Sequence, residues 1–444
     1  MSKQDLPSSE IPSERPIDAQ LASQLLESLD ANEETEASEE PSHAARALVR
    51  DAIRERATDI HLDPESRGLR VRMRIDGVMR DAALLVPKNG YRLINQLKSL
   101  AGIDPVAQVA ADEARFPFRD GDVDLDLRLA VIPCLHGQKL SVRVLDPRQI
   151  IYGLHELGLS DHNLDRIRYW FMSLGGMFVV AGPVGSGKTT TLYSLLHALK
   201  LQSCSVSTLE DPVEYSVDGI NQVQIDEQHG LTFPEGIRAL ARHNPDVILV
   251  GELRDSATAR AAYGAAALGR TILTTMHARD AAGTVTSLRY YGLDDRDIAT
   301  TLSVVVAQRL VRKLCPHCRQ KSTPADEQKR WFKFINVPVP ESSWEPGGCS
   351  CCGQSGYFGQ AGVFEVWHLE DEDYHLLLEG ATEREIRNSL VSRGHEHFLA
   401  DALEKAQAGV TTLAEVQGLR LAGPALSPNA ASVRASAANQ SEPA

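Results

Sequence analysis

The sequence predicts an α/β protein in which a mostly parallel sheet makes up the larger, second part and a small α+β domain precedes it. Three observations predict this. Met177–Ala181, Val247–Val250 and residues 271–275 are short runs, apolar or β-branched, with no polar alternation, as strands buried on both faces require. The stretches between them carry helical periodicity, the alternation expected of strand–helix–strand units. Upstream of about residue 150 the pattern changes: Leu69, Val71, Met73 and Ile75 alternate with Arg70, Arg72, Arg74 and Asp76, which describes a sheet with one wet face.

In chain order, residues 1–42 hold eleven acids and only two bases among Ser and Pro, and are expected to be a disordered acidic tail. Within it Ile17, Leu21, Leu25, Leu26 and Leu29 fall on one helical face behind a candidate N-cap, Asp18, either as a transient helix or as a docking peptide at 17–29 for a partner groove. Residues 43–151 form the small domain, with helices expected near 43–57 and 91–101 and strands near 59–62, 69–79, 123–131 and 139–145. Asp76-Gly77 marks a tight turn. Residues 152–421 form the larger domain, with a Cys-bearing insertion at 315–352 and a helical tail from about 371. Residues 422–444, rich in Ala, Ser, Pro and Asn, are expected to be disordered.

Composition narrows the function. The 444 residues are 43% hydrophobic and 24% charged, ordinary globular material for about two or three domains. No segment reaches the roughly 18 apolar residues of a membrane span. The N-terminus lacks the apolar stretch of a secretory signal, so a cytoplasmic location is expected. A net charge of −14 argues against a nucleic-acid partner.

The chemistry centres on Gly182, Pro183, Val184, Gly185, Ser186, Gly187, Lys188 and Thr189, a full match to the P-loop pattern, followed by Thr190 at a helix start. Glycines let successive N–H groups face phosphate oxygens, and the helix adds its positive end. Lys188 is placed to reach the β- and γ-phosphates of a nucleoside triphosphate, and the Thr189 hydroxyl to bind Mg²⁺. Glu252, after the Val247–Val250 run, is the candidate for activating water, although an acid there also suits a helix start. Glu210, Asp211 and Glu214 form a second acidic cluster, either catalytic or a solvated loop. His277, after the 271–276 run, is either structural or a γ-phosphate sensor. Arg128 and Arg143 lie on the polar faces of alternating strands, as surface charges or as clamps on a nucleotide. Cys315, Cys318, Cys349 and Cys352 give two C-x2-C knuckles, the signature of a structural Zn²⁺ site, with His317 and Cys351 as alternative ligands.

Together these motifs resemble the type II secretion and type IV pilus assembly ATPases, the GspE/PulE-like family. The resemblance rests on Thr58-Asp-Ile-His-Leu-Asp-Pro, Arg72-Met-Arg-Ile-Asp-Gly-Val, the P-loop, Glu210-Asp-Pro-Val-Glu-Tyr, Asn244-Pro-Asp-Val-Ile-Leu-Val-Gly-Glu-Leu-Arg-Asp and Ala307-Gln-Arg-Leu-Val-Arg-Lys-Leu-Cys, in that order. It implies a RecA-like core with a PAS-like small domain. It also implies a homo-hexamer that hydrolyses ATP beside inner-membrane platform and recruitment proteins, to drive secretion or pilus extension. On these positions it makes Glu210 and Glu214 part of an acidic box, Glu252 the Walker B acid, and His277 the end of a His box opening at Gly269. Arg128 and Arg143 become the arginines that reach ATP, with closure about a hinge near residues 152–153.

The resemblance departs at three points. Arg270 stands where the His box has histidine, and is expected to pair with the Glu210 region. The Pro-Gln-Asp-Gly-Arg segment is contracted around Phe116-Pro-Phe-Arg119-Asp-Gly. The N-terminal recruitment domain is expected to be missing, with the 17–29 helix in its place.

Overall fold

The computed structural model describes residues 18–34, 43–106, 111–121, 123–146, 153–200, 204–335 and 337–419, in two compact units, Met1–Gln149 and Ile150–Ala444. Residues 1–17, 35–42 and 422–444 of the expected tails, and Tyr152 of the expected hinge, lie outside the described residues.

In the first unit α1 (Ser23–Glu34) and α2 (His43–Arg54) precede β1 (Ala57–Glu65), β2 (Gly68–Ile75) and β3 (Val78–Leu85); α3 (Pro87–Leu100) leads to β4 (Asp112–Asp120), β5 (Val123–Cys134) and β6 (Gly137–Leu145). The six strands pair antiparallel in the order β3-β2-β1-β6-β5-β4. Alternation sends Ile60, Leu62, Val71, Met73, Leu127, Leu129 and Val142 into a core shared with Leu48, Leu93 and Leu97 of the helices. Asp76 and Gly77, at φ 49° and 81°, turn β2 into β3, the conformation a two-residue hairpin needs. The sequence pattern did not reveal β4, because Pro117 interrupts it. The strand tolerates Pro117 because it lies at the sheet edge, where one row of N–H groups needs no partner.

The 18–34 stretch is neither a disordered tail nor an open docking peptide. Asp18 caps a short 3₁₀ turn (Ala19–Ala22) by accepting from the Gln20 N–H at 3.3 Å. Leu21, Leu25 and Leu29 of the apolar stripe are buried in the unit's own core. The buried Asp51 of α2 accepts the Gln24 and Leu25 N–H groups at 3.2 and 2.8 Å, satisfying donors that a helix start leaves open. The stripe is apolar because it packs on α2 and the sheet of its own domain.

The second unit opens with α4 (Asp161–Met172), β7 (Met177–Ala181), α5 (Lys188–Lys200), β8 (Val206–Glu210), β9 (Asn221–Gln224), α6 (Phe233–Ala241), β10 (Val247–Val250), α7 (Ser256–Ala267) and β11 (Thr271–Met276). It continues through α8 (Ala281–Tyr290), α9 (Asp295–Thr301), β12 (Leu302–Leu314), β13 (Gln320–Ser322), α10 (Asp326–Phe334), β14 (Ser343–Glu345) and β15 (Tyr357–His368), ending in α11 (Asp371–Leu378), α12 (Glu383–Ser392), α13 (Phe398–Gln407) and α14 (Leu413–Gly418). Its sheet runs β15-β12-β7-β11-β10-β8-β9, parallel throughout except for the β12–β15 pair. In β7, Met177, Val179 and Ala181 enter one core cluster and Phe178 and Val180 the other, one on each face of the sheet. That double burial is why the run reads as continuously apolar.

Candidate active site

The carboxyl ends of parallel strands are where such sheets hold ligands, and four of the predicted residues or loops follow those ends. Gly182 follows β7, Glu210 closes β8, Glu252 lies two residues past β10 and His277 follows β11. The phosphate loop is shaped by close approach. A Cβ on Gly182 would lie 2.5 Å from Ser186 Oγ and 2.6 Å from the Gln308 carbonyl, and Gly187 adopts φ +84°. Lys188 folds over its own loop, donating to the Gly182 and Pro183 carbonyls at 3.0 and 2.9 Å. Burial, and then the nearby Arg309 guanidinium, push its ammonium down to about 8. Ser186 Oγ is buried without a hydrogen-bond partner, an orphan polar atom inside the loop that a phosphate oxygen would satisfy. Thr189 and Thr190 are half-buried in the first turn of α5.

His277 bridges the loop to the acid beyond β10. Its Nδ1 lies 3.2 Å from the Gly182 carbonyl and its Nε2 lies 3.8 Å from Glu252 Oε2. Arg254 pairs with Glu252 on the other side and reaches Asp211 at 3.3 Å. The structure thus brings Lys188, Gly182, His277 and Glu252 together, and adds Arg254.

Glu210 stands one strand over, since the Gly251 N–H donates to the Leu209 carbonyl at 2.8 Å. Its carboxylate is buried and held by Tyr193 Oη, by Thr208 Oγ1 at 2.6 Å and by Gln222 Nε2 at 3.1 Å. Glu214 is half-buried on the loop that follows. Burial, then Glu210, raises the Tyr193 phenol well above its ordinary value, with a further rise from Glu214.

Arg270 does not pair with the Glu210 region. It donates to Asn244 Oδ1, and both residues precede their strands, at the end of the sheet opposite the phosphate loop. The six residues of β11, about 20 Å at roughly 3.3 Å per residue, separate it from His277.

In the first unit Arg128 lies directly opposite Arg143 on β6 and Arg115 on β4, so three cations cross the sheet in one row on its polar face. Arg143 pairs with Asp59 at 3.2 Å and Arg115 with Asp126 at 2.9 Å. The arginine in this row is Arg115, one residue before the segment the sequence pointed to. Arg119 lies exposed near the β4–β5 turn, paired with Asp124 at 3.3 Å.

The four predicted cysteines converge. Their sulfurs lie within 4.8 Å of one another, with Cys315–Cys349 and Cys318–Cys352 at 3.8 Å and Cys349–Cys352 at 3.7 Å. Tetrahedral zinc with thiolates at roughly 2.3 Å requires sulfur separations of about 3.8 Å. The Gly348 N–H donates to Cys318 Sγ at 3.2 Å and the Gly356 N–H to Cys352 Sγ at 3.2 Å, as thiolates want. His317 and Cys351 are exposed and outside the cluster.

The sequence reading missed Gln308 as a site residue. Buried on β12, it donates to the Ser186 carbonyl at 2.7 Å and accepts from Thr191 Oγ1 at 2.8 Å, bracing the phosphate loop from the neighbouring strand. Only its place in the Ala307-Gln-Arg-Leu run hinted at it.

This arrangement has relatives. The family model described as Type II/IV secretion system protein matches residues 34–418. The chain is 35% identical over 399 residues to the Type II secretion system ATPase E of Vibrio cholerae, covering 88% of this chain and 78% of that protein. It is also 35% identical over 373 residues to the Type IV pilus assembly ATPase PilB of Thermus thermophilus, covering 84% of this chain but only 42% of that longer protein. The fold matches the X-ray structure of the Legionella pneumophila ATPase DotB at a TM-score of 0.63 and 20% identity, over 86% of this chain and 96% of DotB. With a P-loop, its facing acid and a family match across most of its length, the chain belongs to the Type II/IV secretion system protein family of ATPases.

Proposed function

We propose that the chain is a cytoplasmic homo-hexameric motor at the inner membrane, hydrolysing ATP to power pseudopilus assembly and protein export by a type II secretion system. Platform and recruitment proteins of that machine are its partners. The observation that carries the reading is the His277 bridge between the phosphate loop and Glu252. Among the described residues no helix is long and apolar enough to cross a membrane, which fits attachment through partners. Pilus extension uses the same chemistry and is the second reading, favoured by the equal identity to the Thermus pilus ATPase.

In the proposed reaction the triphosphate displaces the Lys188 ammonium from its loop carbonyls, and Lys188 then neutralises the β- and γ-phosphates. Glu252 takes a proton from water as the water oxygen bonds to the γ-phosphorus. The bond from that phosphorus to the β–γ bridging oxygen breaks, and ADP leaves. His277 and Arg254 hold Glu252 in place, and His277 senses the γ-phosphate. Thr189 is the residue to hold Mg²⁺, which when bound would offset the phosphate charge. Arg128 and Arg143 supply further cations to the nucleotide. Support comes from their cross-strand row with Arg115: Arg143 and Arg115 each pair with one aspartate, and the three guanidiniums still stand side by side, an arrangement that suits a polyanion. The four cysteines hold a structural Zn²⁺, on the strength of sulfur spacings that fit a tetrahedron.

The test is steady-state ATP hydrolysis against protein concentration for wild type and Glu252→Gln. The expected result is turnover that rises with assembly in wild type and falls by roughly 10²- to 10⁴-fold in the variant. A variant as active as wild type would remove Glu252 from its role. ATP binding without turnover in the assembled wild type would leave a nucleotide-binding scaffold.

A further inference from the structure

The helix that carries Lys188 also carries, five residues on, the phenol that closes on Glu210. Tyr193 is among the largest fully buried side chains of the unit, yet its hydroxyl is not spent on packing. It donates to Glu210 Oε2, while Gln222 Nε2 approaches Tyr193 Oη at 3.4 Å and donates to Glu210 Oε1 at 3.1 Å. Gln222 also donates to the Tyr215 carbonyl at 3.1 Å and accepts the Val217 N–H at 2.7 Å, tying the loop after Glu210 into the same cluster. The Tyr215 ring packs on the Tyr193 ring with centroids 4.0 Å apart.

The chemistry of this cluster is one-directional. A buried carboxylate is costly unless donors satisfy it, and here a phenol, an alcohol and an amide all donate to one acid. A phenol whose own ionisation is suppressed by burial keeps its proton and stays a donor. The result is a carboxyl group held in one orientation, at the end of the strand beside the one that leads to Glu252.

We propose that Tyr193 is a positioning residue for ATP hydrolysis: it links the phosphate-binding helix to Glu210, the buried member of the acidic box, and with Gln222 fixes that carboxyl group in one orientation. The proposal deepens the ATPase reading and rests on it. Tyr193 itself bonds to Glu210 and packs on Tyr215, away from the loop that cradles phosphate. Its effect falls on the chemical step, and nucleotide affinity is set by the loop, Lys188 and Thr189.

The experiment compares full-length wild type, Tyr193→Phe and Gln222→Leu for kcat, KM for ATP and thermal melting. A hydrogen bond to a charged group is worth enough that the expected loss in kcat for Tyr193→Phe is roughly 10- to 100-fold. KM should stay within about twofold, and the melting temperature should fall only slightly, since the ring and its packing remain and Thr208 and Gln222 still donate to Glu210. Gln222→Leu should lower kcat in the same sense. Unchanged kcat in Tyr193→Phe overturns the proposal, as does a raised KM at normal kcat, which would make Tyr193 a binding residue. Loss of kcat together with early melting in both variants marks the cluster as merely structural and also overturns it. Absence of turnover in wild type would instead defeat the ATPase reading itself, so the two failures are separable.

Discussion

Lys188 shows how one side chain records the state of its site. Its ammonium is held by two loop carbonyls, and burial and Arg309 bring it down to about 8. A polyphosphate favours the charged form, so the value climbs when ATP binds. The sign follows: affinity is fully developed below pH 8 and falls as pH rises through 8 toward the ordinary lysine range, because binding must then take up a proton. Isothermal titration calorimetry between pH 7 and 10, in buffers of differing ionisation enthalpy, should show proton uptake appearing above about pH 8. Lys188→Met should bind weakly with no such slope. Uptake that is flat across this range would show that Lys188 keeps an ordinary value in the free protein. Arg270 teaches the complementary lesson. In the sequence it sits seven residues before His277, but a full strand length separates the two, so its replacement of a histidine bears on the opposite end of the strands and on Asn244.

At the scale of elements, β12 joins two functions. Its Gln308 braces the phosphate loop and α5, and seven residues later Cys315 opens the first knuckle. Gln308→Leu would leave the Ser186 carbonyl and Thr191 hydroxyl unpaired, at a cost of about 1–3 kcal/mol for each buried group. The expected outcome is a lower melting temperature with weaker ATP binding, read by calorimetry, and an unchanged metal content. An ATP affinity equal to wild type would show that the loop holds its shape without the brace. Helix α1 is the counterpart in the small unit. The stripe of Leu21, in the turn before it, with its own Leu25 and Leu29 was legible as amphipathic, but a pattern of that kind states only that something covers the face. Its cover is α2 and the core below.

Across the second unit, the cysteine cluster lies where the β12–β15 pair ends, with Leu314 opposite Tyr357. Around it, the Leu314 N–H bonds to the Val410 carbonyl and Arg319 stacks on Trp344. Removing the proposed zinc with a chelator should therefore loosen a local module. Hydrogen exchange should quicken over residues 315–356 and 407–413, while β7, β10 and β11, buried on both faces, stay protected. Exchange that rises equally through the central strands would mean that the cluster stabilises the whole unit. Substituting Cys351, outside the cluster, by Ser should leave bound zinc unchanged.

The sequence by itself determined what its local signals can carry. Gly182 to Thr189 specify phosphate chemistry through backbone freedom and one lysine, the unbroken apolar runs specify strands covered on both sides, and paired Cys-x2-Cys knuckles specify four thiols that can converge on one point. Each is a property of a few neighbouring residues. The tertiary structure alone decided which groups meet: Tyr193 and Gln222 around Glu210, Gln308 against Ser186, His277 between Gly182 and Glu252, Arg115 beside Arg128, and four cysteines without His317 or Cys351. It also decided that β4 is a strand despite Pro117, because an edge position forgives a missing donor. For the groups around the phosphate loop the reason is shared. Partners in a parallel sheet are set by strand order, here β12-β7-β11-β10-β8-β9, which brings together residues up to 122 positions apart and leaves no periodic trace in the chain.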